Sequence, residues 1–576
     1  MPFCKCRIVL FAAVALALPL GACGTMPRPS QTVNGTRVVE MPESSTAEAY
    51  GHYLSAHLAA SEHDLHDAAK YYRAALDHDP ENPDLLSRAF LYTAASGEVG
   101  DAAKLAAKIT AKNPGDRAAR LTLTVESIEQ GDFDNARMQI AQSARGPFTS
   151  LTLTLLDAWA AQGMGKLDVA LKDLKEIPQQ GGTEALAHFH SALMLDLAGR
   201  NDEANKEYQS ALLASGPSPR EVEAYGRFLE RTGKNAEARA LYAKIADKES
   251  LAPIVAASEA RMAAGKTPDR LIASSQQGAA EALFGIAASL TDATSADIAI
   301  LYLRLGLYLA PDLDLGKIVL ADRFEALEKF EDAIAVYRSV DADSPYKVAA
   351  STQAAVDETR LKQTDKAVAE LTAITADDPG NVTAWTALGD AYRSVERYAD
   401  AATAYDRAVK AIGSVTKKDW PLFYARAVSE ERSKNWGAAE KDLKHALTLS
   451  PDQPQVLNYL GYSWVDRGQN LPEALALLEK ARALSPFDGY IVDSVGWAYY
   501  RLGRYRDAAE ALEQAVRLVP GESTINDHLG DAYWKTGRKL EARFQWDHAL
   551  AFGPDPDEKV KLERKLEYGL ANGQKP

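Results

Sequence analysis

The 576-residue chain is poor in the features that would narrow its chemistry. It has three cysteines, Cys4, Cys6 and Cys23, and no thiol after them. That excludes a disulfide framework or a thiolate metal centre in the body of the protein, whose fold must be held by packing. Long basic runs are missing. With 65 basic against 80 acidic residues the formal charge is −15, so the local cation surplus that phosphate backbones demand is absent. Beyond one apolar run at the N-terminus, none reaches the roughly 20 residues that span a bilayer, which excludes a polytopic membrane protein. Zinc-protease, dinucleotide-binding and EF-hand signatures are also missing. What remains, 46% hydrophobic and 25% charged residues, is a globular balance.

The N-terminus reads as an address. Lys5 and Arg7 precede an apolar stretch from Ile8 to Leu20 that is too short to span. It ends in Leu20-Gly21-Ala22-Cys23, which resembles the lipobox of bacterial lipoproteins. The resemblance implies that residues 1–22 are a signal peptide, and that Cys23 is lipidated and acylated after cleavage, because several chains anchor where one does so only marginally. An ordinary secretory signal with a chance cysteine is the alternative. Gly24 stands where inner-membrane lipoproteins carry Asp, which implies an outer-membrane lipoprotein facing the periplasm. Loss of Lys5 and Arg7 leaves 63 − 80 = −17, which favours solubility and disfavours contact with anionic lipid. Residues 23–45, the lipidated cysteine and an aperiodic stretch with Pro, Ser and Thr, read as a flexible tether.

The rest is one repeated unit. Pro80 and Pro114 are 34 residues apart, as are Pro345 and Pro379, and Pro486, Pro520 and Pro554; Pro451 to Pro486 is one residue longer, an insertion placed near Asn470. Trp385-x-x-Leu388-Gly389-x-x-Tyr392, followed by Ala401-x-x-x-Tyr405, resembles the tetratricopeptide (TPR) signature, a helix-turn-helix unit of that period. Leu460-Gly461, Gly496 and Leu529-Gly530 recur at the Leu-Gly place, with Ala474, Ala508 and Ala542 in the second helix. The aromatic and leucine positions make one apolar face, and the small residues admit a close helix-helix approach. One hairpin cannot bury its face alone, so neighbours must stack.

The N-terminal half keeps the phase. Ala68, Ala102, Ala136, Ala170, Ala204 and Ala238 are spaced by 34, and Gly97, Gly131, Gly163, Gly199, Gly233 and Gly265 mark the expected turns. The pattern predicts an all-α fold, which by resemblance is a right-handed superhelical solenoid of about thirteen TPR-like repeats. The expected organisation is a diverged array over 46–267, an irregular helical joint or distorted repeat over 268–311, a second array over 312–555, and a capping helix with a tail over 556–576.

Chemistry motifs come back empty. Ala260-x4-Gly265-Lys266-Thr267 fits a relaxed P-loop, but no strand precedes it and Gly265 belongs to the turn series. His52, His57, His63 and His66 share one repeat; only His63 and His66 have ligand spacing, and they fall in a turn. Ser344-x-x-Lys347 and Ser414-x-x-Lys417 lack an oxyanion element. Ser494 lacks the first glycine of a nucleophile elbow. No cofactor, metal or enzymatic activity is expected.

By the register of the TPR family, the inner-face positions of the last repeats hold Asn458, Tyr462, Asp493, Trp497, Tyr500, Asp527, Asp531 and Trp534. The same register puts Trp385, Tyr392, Trp464, Tyr499 and Tyr533 in the core. Aromatics beside carboxylates and an amide suit an extended peptide or protein segment, the rings giving area and the polar groups pairing with its backbone; filling of crevices between adjacent helices is the other reading. Asp493-Ser494-Val495-Gly496-Trp497, with Asp527-His528-Leu529-Gly530-Asp531 and Trp534, resembles long TPR lipoproteins of Gram-negative bacteria. Some of these are adaptors of periplasmic carboxyl-terminal processing proteases acting on wall hydrolases. The resemblance implies a lipid-anchored scaffold with a protein or peptide partner; the alternatives are a scaffold for exopolysaccharide export or pilus assembly, and an enzyme carrying repeats.

Overall fold

The computed structural model describes residues 45–570, apart from 179–181, 217, 245–251 and 293–294, and the short antiparallel pair Thr32–Val33 and Thr36–Arg37. The expected signal peptide, Cys23 and most of the tether lie outside the described residues. Thirty α-helices follow one another from Ser45 to Tyr568. They pair as antiparallel hairpins, six before Ala252 and seven between Asp314 and Ala551. In most hairpins the first helix (A) adjoins an A helix of a neighbouring hairpin, and no pair of second helices (B) is in comparable contact among the described residues, so the A helices form an inner wall and the B helices an outer one. The described residues form an all-α solenoid of TPR-like helical hairpins.

The repeat spacing has a backbone cause. Each A helix ends in a left-handed residue that turns the chain into B: His63, Gly97, Gly131, Gly165, Gly199 and Gly233 follow at intervals of 34. Gly97 N–H bonds to Ala94 O and Glu98 N–H to Thr93 O, a Schellman end that satisfies the last carbonyls. The turn glycine of the fourth repeat is therefore Gly165, not the expected Gly163. Gly163 closes helix Pro147–Gly163 and is small because a Cβ there would stand 2.5 Å from the Phe133 ring. In the second array Glu328, Lys362 and Glu396 adopt the same left-handed turn despite their side chains, at a cost of about 1–2 kcal/mol each.

All six alanines of the 34-residue series are fully buried, as are Ala401, Ala474, Ala508 and Ala542. They leave room for the glycine side of the hairpin: a Cβ on Gly389 would be 2.5 Å from Tyr405 Cε1, and one on Gly530 2.5 Å from Trp546 Cδ1. Trp464, Tyr499 and Tyr533 are buried, whereas Trp385 and Tyr392 are half-exposed. Arginines from the turns stack on the inner-wall tyrosines, Arg397 on Tyr392, Arg504 on Tyr499 and Arg538 on Tyr533 at 3.8–4.4 Å from the ring centroids.

The segment 268–311 folds as a hairpin of its own, Ser275–Ser289 and Ala296–Leu309. Its second helix packs on Asp314–Ala326, the first helix of the second array, as one hairpin packs on the next. The hairpin lies against the A helices Pro83–Ser96, Arg117–Glu129, Pro147–Gly163 and Gly182–Leu197, inside the hollow of the first array. Its first helix is buried almost all round: Ala279, Ala280, Ala282, Leu283, Phe284, Ile286 and Ala287 are at most 5% exposed. A helix apolar on every side can only be stable when enclosed. Gly278 rests flat on the Trp159 indole, where a Cβ would overlap the ring. One hydrophobic cluster runs from Leu65 through this hairpin to Ala354.

Candidate functional site

The two inner walls differ in what they offer. That of the first array is largely taken up by the chain itself, which leaves an opening of about 460 Å³ between the first hairpins and the helix Ala296–Leu309. Tyr308 donates to Glu126 at 2.9 Å, Arg304 to the Ala95 carbonyl at 3.3 Å, and Tyr302 lies 3.3 Å from Thr152. Arg220 holds Glu281 of the inserted hairpin and also Glu223, while Arg231 holds Asp196 and Arg261 holds Glu230. These acids are buried, and each is paired, as desolvated charges must be.

The inner wall of the last repeats retains an opening of about 230 Å³. Tyr462 and Asp466 come from the A helix Pro454–Asp466, Trp497 from Gly489–Arg501, and Asp527 and His528 from Ser523–Lys535. Glu558, Lys561 and Leu562, on the terminal helix Pro556–Tyr568, close the far side. Aromatic faces beside carboxylates can accept an aliphatic or cationic side chain and bond a backbone amide.

Of the eight expected groove residues, Tyr462, Trp497 and Asp527 line this opening. The other five do not face free space, because neighbouring helices and the folded-back terminal helix engage or cover them. Asp493 pairs with His528 at 2.9 and 3.1 Å. Trp497 stacks between Tyr500 and His528, at centroid distances of 4.8 and 4.1 Å, and Tyr500 is buried. Asp531 accepts the Trp546 indole N–H at 3.0 Å and, with Asp527, holds Lys565. Trp534 lies beneath Gly569, and Asn458 is buried with its Oδ1 unbonded among the described residues. Sequence reasoning missed His528 and Lys565. The signal for His528 was its position 35 residues after Asp493, one repeat on at the neighbouring place of the inner face.

Burial works against a charge on His528, but Asp493, Asp527 and Asp531 outweigh it and raise its pKa above the ordinary imidazole value. Burial, reinforced by Asp527, pushes the Asp531 carboxyl up to about 6 against the pull of Lys565. Burial raises Glu558 as well, with Asp555 and Asp527 adding to it. The cleft is thus a cluster of acids balanced by His528, Lys561 and Lys565.

The motifs that looked chemical have structural roles. Gly265 is a left-handed turn directly after helix Ala252–Ala263, where a P-loop would need a strand. Lys347 Nζ donates to the Val340 and Arg338 carbonyls, and Ser494 Oγ to the Tyr490 carbonyl. His63 is a turn residue 3.8 Å from Asp297. Glu48 and His52, four apart on one helix, meet His78 with ligand atoms within 4.8 Å of one another. The His52 ring stacks on Tyr71 and His78, and no described neighbour orients its nitrogens as a built metal site would. No described helix is long and apolar enough to cross a membrane.

Part of the second array is similar to a known repeat family. Residues 352–414, 424–489 and 496–558, one third of the chain, match the family model of the tetratricopeptide repeat. A TPR repeat-containing protein of Pseudomonas aeruginosa is 40% identical over 91 residues, which are 16% of this chain and 15% of that protein's length. Among solved structures, a tetratricopeptide repeat protein from Parabacteroides merdae is 14% identical and is similar over 44% of this chain and 98% of its own, with a TM-score of 0.36. The crystal structure of the APC/C hetero-tetramer Cut9-Hcn1 is similar over 91% of this chain and 96% of its own, with 16% identity and a TM-score of 0.37.

Proposed function

We propose that this tetratricopeptide solenoid is a scaffold, held by a lipid on Cys23 to the periplasmic face of an outer membrane, that grips a protein or peptide segment on the inner wall of its C-terminal array. The repeats support protein binding in general. The observation that carries the location is the opening among Tyr462, Trp497, Asp527 and His528, which sits where the first array has its own hairpin. The partners that the sequence resemblance suggests are a processing protease and the wall hydrolases it removes, the scaffold bringing the two together without chemistry of its own.

The test is capture of partners from solubilised membranes by the wild-type chain and by Tyr462→Ala/Asp466→Lys. Both residues lie at the opening, and neither is fully buried. The variant is expected to keep its helicity and lose the captured protein by at least about tenfold, on the order of 1.4 kcal/mol. Undiminished capture by the folded variant would refute the location.

A further inference from the structure

The terminal helix Pro556–Tyr568 lies on the last repeats in the manner of a bound segment. Of its thirteen residues only Leu562 is buried. Lys565 Nζ stands 2.6 and 2.8 Å from the two oxygens of Asp527 and 2.9 Å from Asp531. Leu562 enters the core cluster of the last repeats, Leu566 and Leu570 rest against it, and Gly569 covers the Trp534 ring. The grip therefore has a short code: a leucine, a lysine three residues later, a second leucine directly after it.

The wall beneath suits a cation. Asp527 and Asp531 are four apart on one helix face, and Asp493 lies on the next A helix with His528 as its partner. Without Lys565 the two acids of the last A helix would keep only His528 and the Trp546 indole N–H beside them, a costly arrangement for partly desolvated carboxylates. The apolar part of the contact is small, one fully buried leucine, whereas the inserted hairpin at 275–309 is enclosed on nearly all sides. The opening beside the helix also exposes Tyr462 and Trp497 to an incoming segment before the helix has to leave.

We infer, on the reading that this inner wall binds a partner, that the terminal helix is an internal stand-in for it: the last repeats recognise an amphipathic helix of a partner protein, with one Lys or Arg between two leucines at this spacing, and that helix replaces residues 556–570. Charge complementarity selects this occupant. An extended segment would place alternate side chains on opposite faces and could not bring two leucines and the cation down together at spacings of three and one.

The test uses the full chain carrying L562D/K565E, which releases the helix. The probe is a fluorescein-labelled synthetic peptide of residues 555–570. The variant is expected to bind it at least about tenfold more tightly than the wild-type chain does. Peptides carrying K565E, or E563P to break the helix, are expected to bind the variant at least about tenfold more weakly than the unaltered peptide. Equal binding by the wild-type chain, no binding by a variant of wild-type helicity and melting, or full binding of either altered peptide would overturn the inference. On the unaltered chain, amides of 557–568 are expected to exchange about a hundredfold faster than those of 524–535, and equal protection would also overturn it. Partner capture lost in Tyr462→Ala/Asp466→Lys but unchanged in L562D/K565E would sink this inference alone; capture indifferent to the former would sink the reading it rests on.

Discussion

Arg220 and Glu281, 61 residues apart in the chain, are joined by three hydrogen bonds of 2.8–3.0 Å across the boundary between the first array and the hairpin that fills it. Glu223 shares the same guanidinium, and Tyr346 Oη, from the start of the second array, reaches Glu223 at 3.5 Å. This node ties an A helix, the insert and the following array into one body.

Removing the arginine leaves the buried Glu281 without its cation, while Glu223 keeps Arg227 at 2.6 Å. Arg220→Ala is expected to cost about 3–5 kcal/mol, whereas Arg220→Met/Glu281→Met, which removes both sides of the longer pair, is expected to cost less than the single change. Urea unfolding followed by circular dichroism measures both. A single substitution within about 0.5 kcal/mol of wild type would contradict the burial of this pair.

His190 gives the first array an acid-sensitive point. It is fully buried and accepts the Trp159 indole N–H on Nδ1 at 3.1 Å, and burial pushes its pKa down to about 3. The fold keeps it neutral while the unfolded chain protonates near pH 6.5. Its contribution is thus whole above pH 6.5 and drains away as the pH falls toward 3, up to a loss on the order of 4 kcal/mol. Comparison of wild type with His190→Gln from pH 7 to pH 4 is expected to show a shallower acid loss in the variant. Parallel curves would exclude the histidine as the cause.

The second array has the opposite sensitivity. The His528 pKa is raised, so its contribution is full below pH 6.5 and is lost as the pH climbs through the folded value. Asp531, lifted to about 6, works in the same direction, since its protonated form is the one the fold favours. Hydrogen exchange of helices Gly489–Arg501 and Ser523–Lys535, corrected for intrinsic rates, is expected to show weaker protection at pH 8 than at pH 6, and His528→Gln is expected to remove most of that difference. Stronger protection at pH 8 would contradict the assignment.

The repeats were legible because their signal is steric and local. A buried alanine every 34 residues and a glycine opposite a large side chain, as at Gly389 and Gly530, follow from two helices touching, and that constraint shows in the letters. The turn glycine of the fourth repeat was misplaced at Gly163, although the interval of 34 from Gly131 picks out Gly165, whose left-handed backbone makes the turn. The insert was legible as helical, while its location was not: nothing in residues 268–311 names the wall it faces. Its one usable sign was the apolar character of 275–289 on every side, which requires enclosure. The inner-face register names Tyr462, Trp497 and Asp527, which line the opening, yet it could not show that Lys565 returns to Asp527 and Asp531, since that contact depends on the direction the chain takes after Gly553.

The account turns on which wall holds the partner. Photo-crosslinking from a benzoylphenylalanine placed at Tyr462 or Asp466, at the opening, and at Glu510, on the outer wall, tests it in intact membranes. One protein adduct at the two inner positions and none at Glu510 is the expected result. Adducts of equal yield at Glu510, or none at Tyr462 and Asp466 while the partner is still captured, would contradict it.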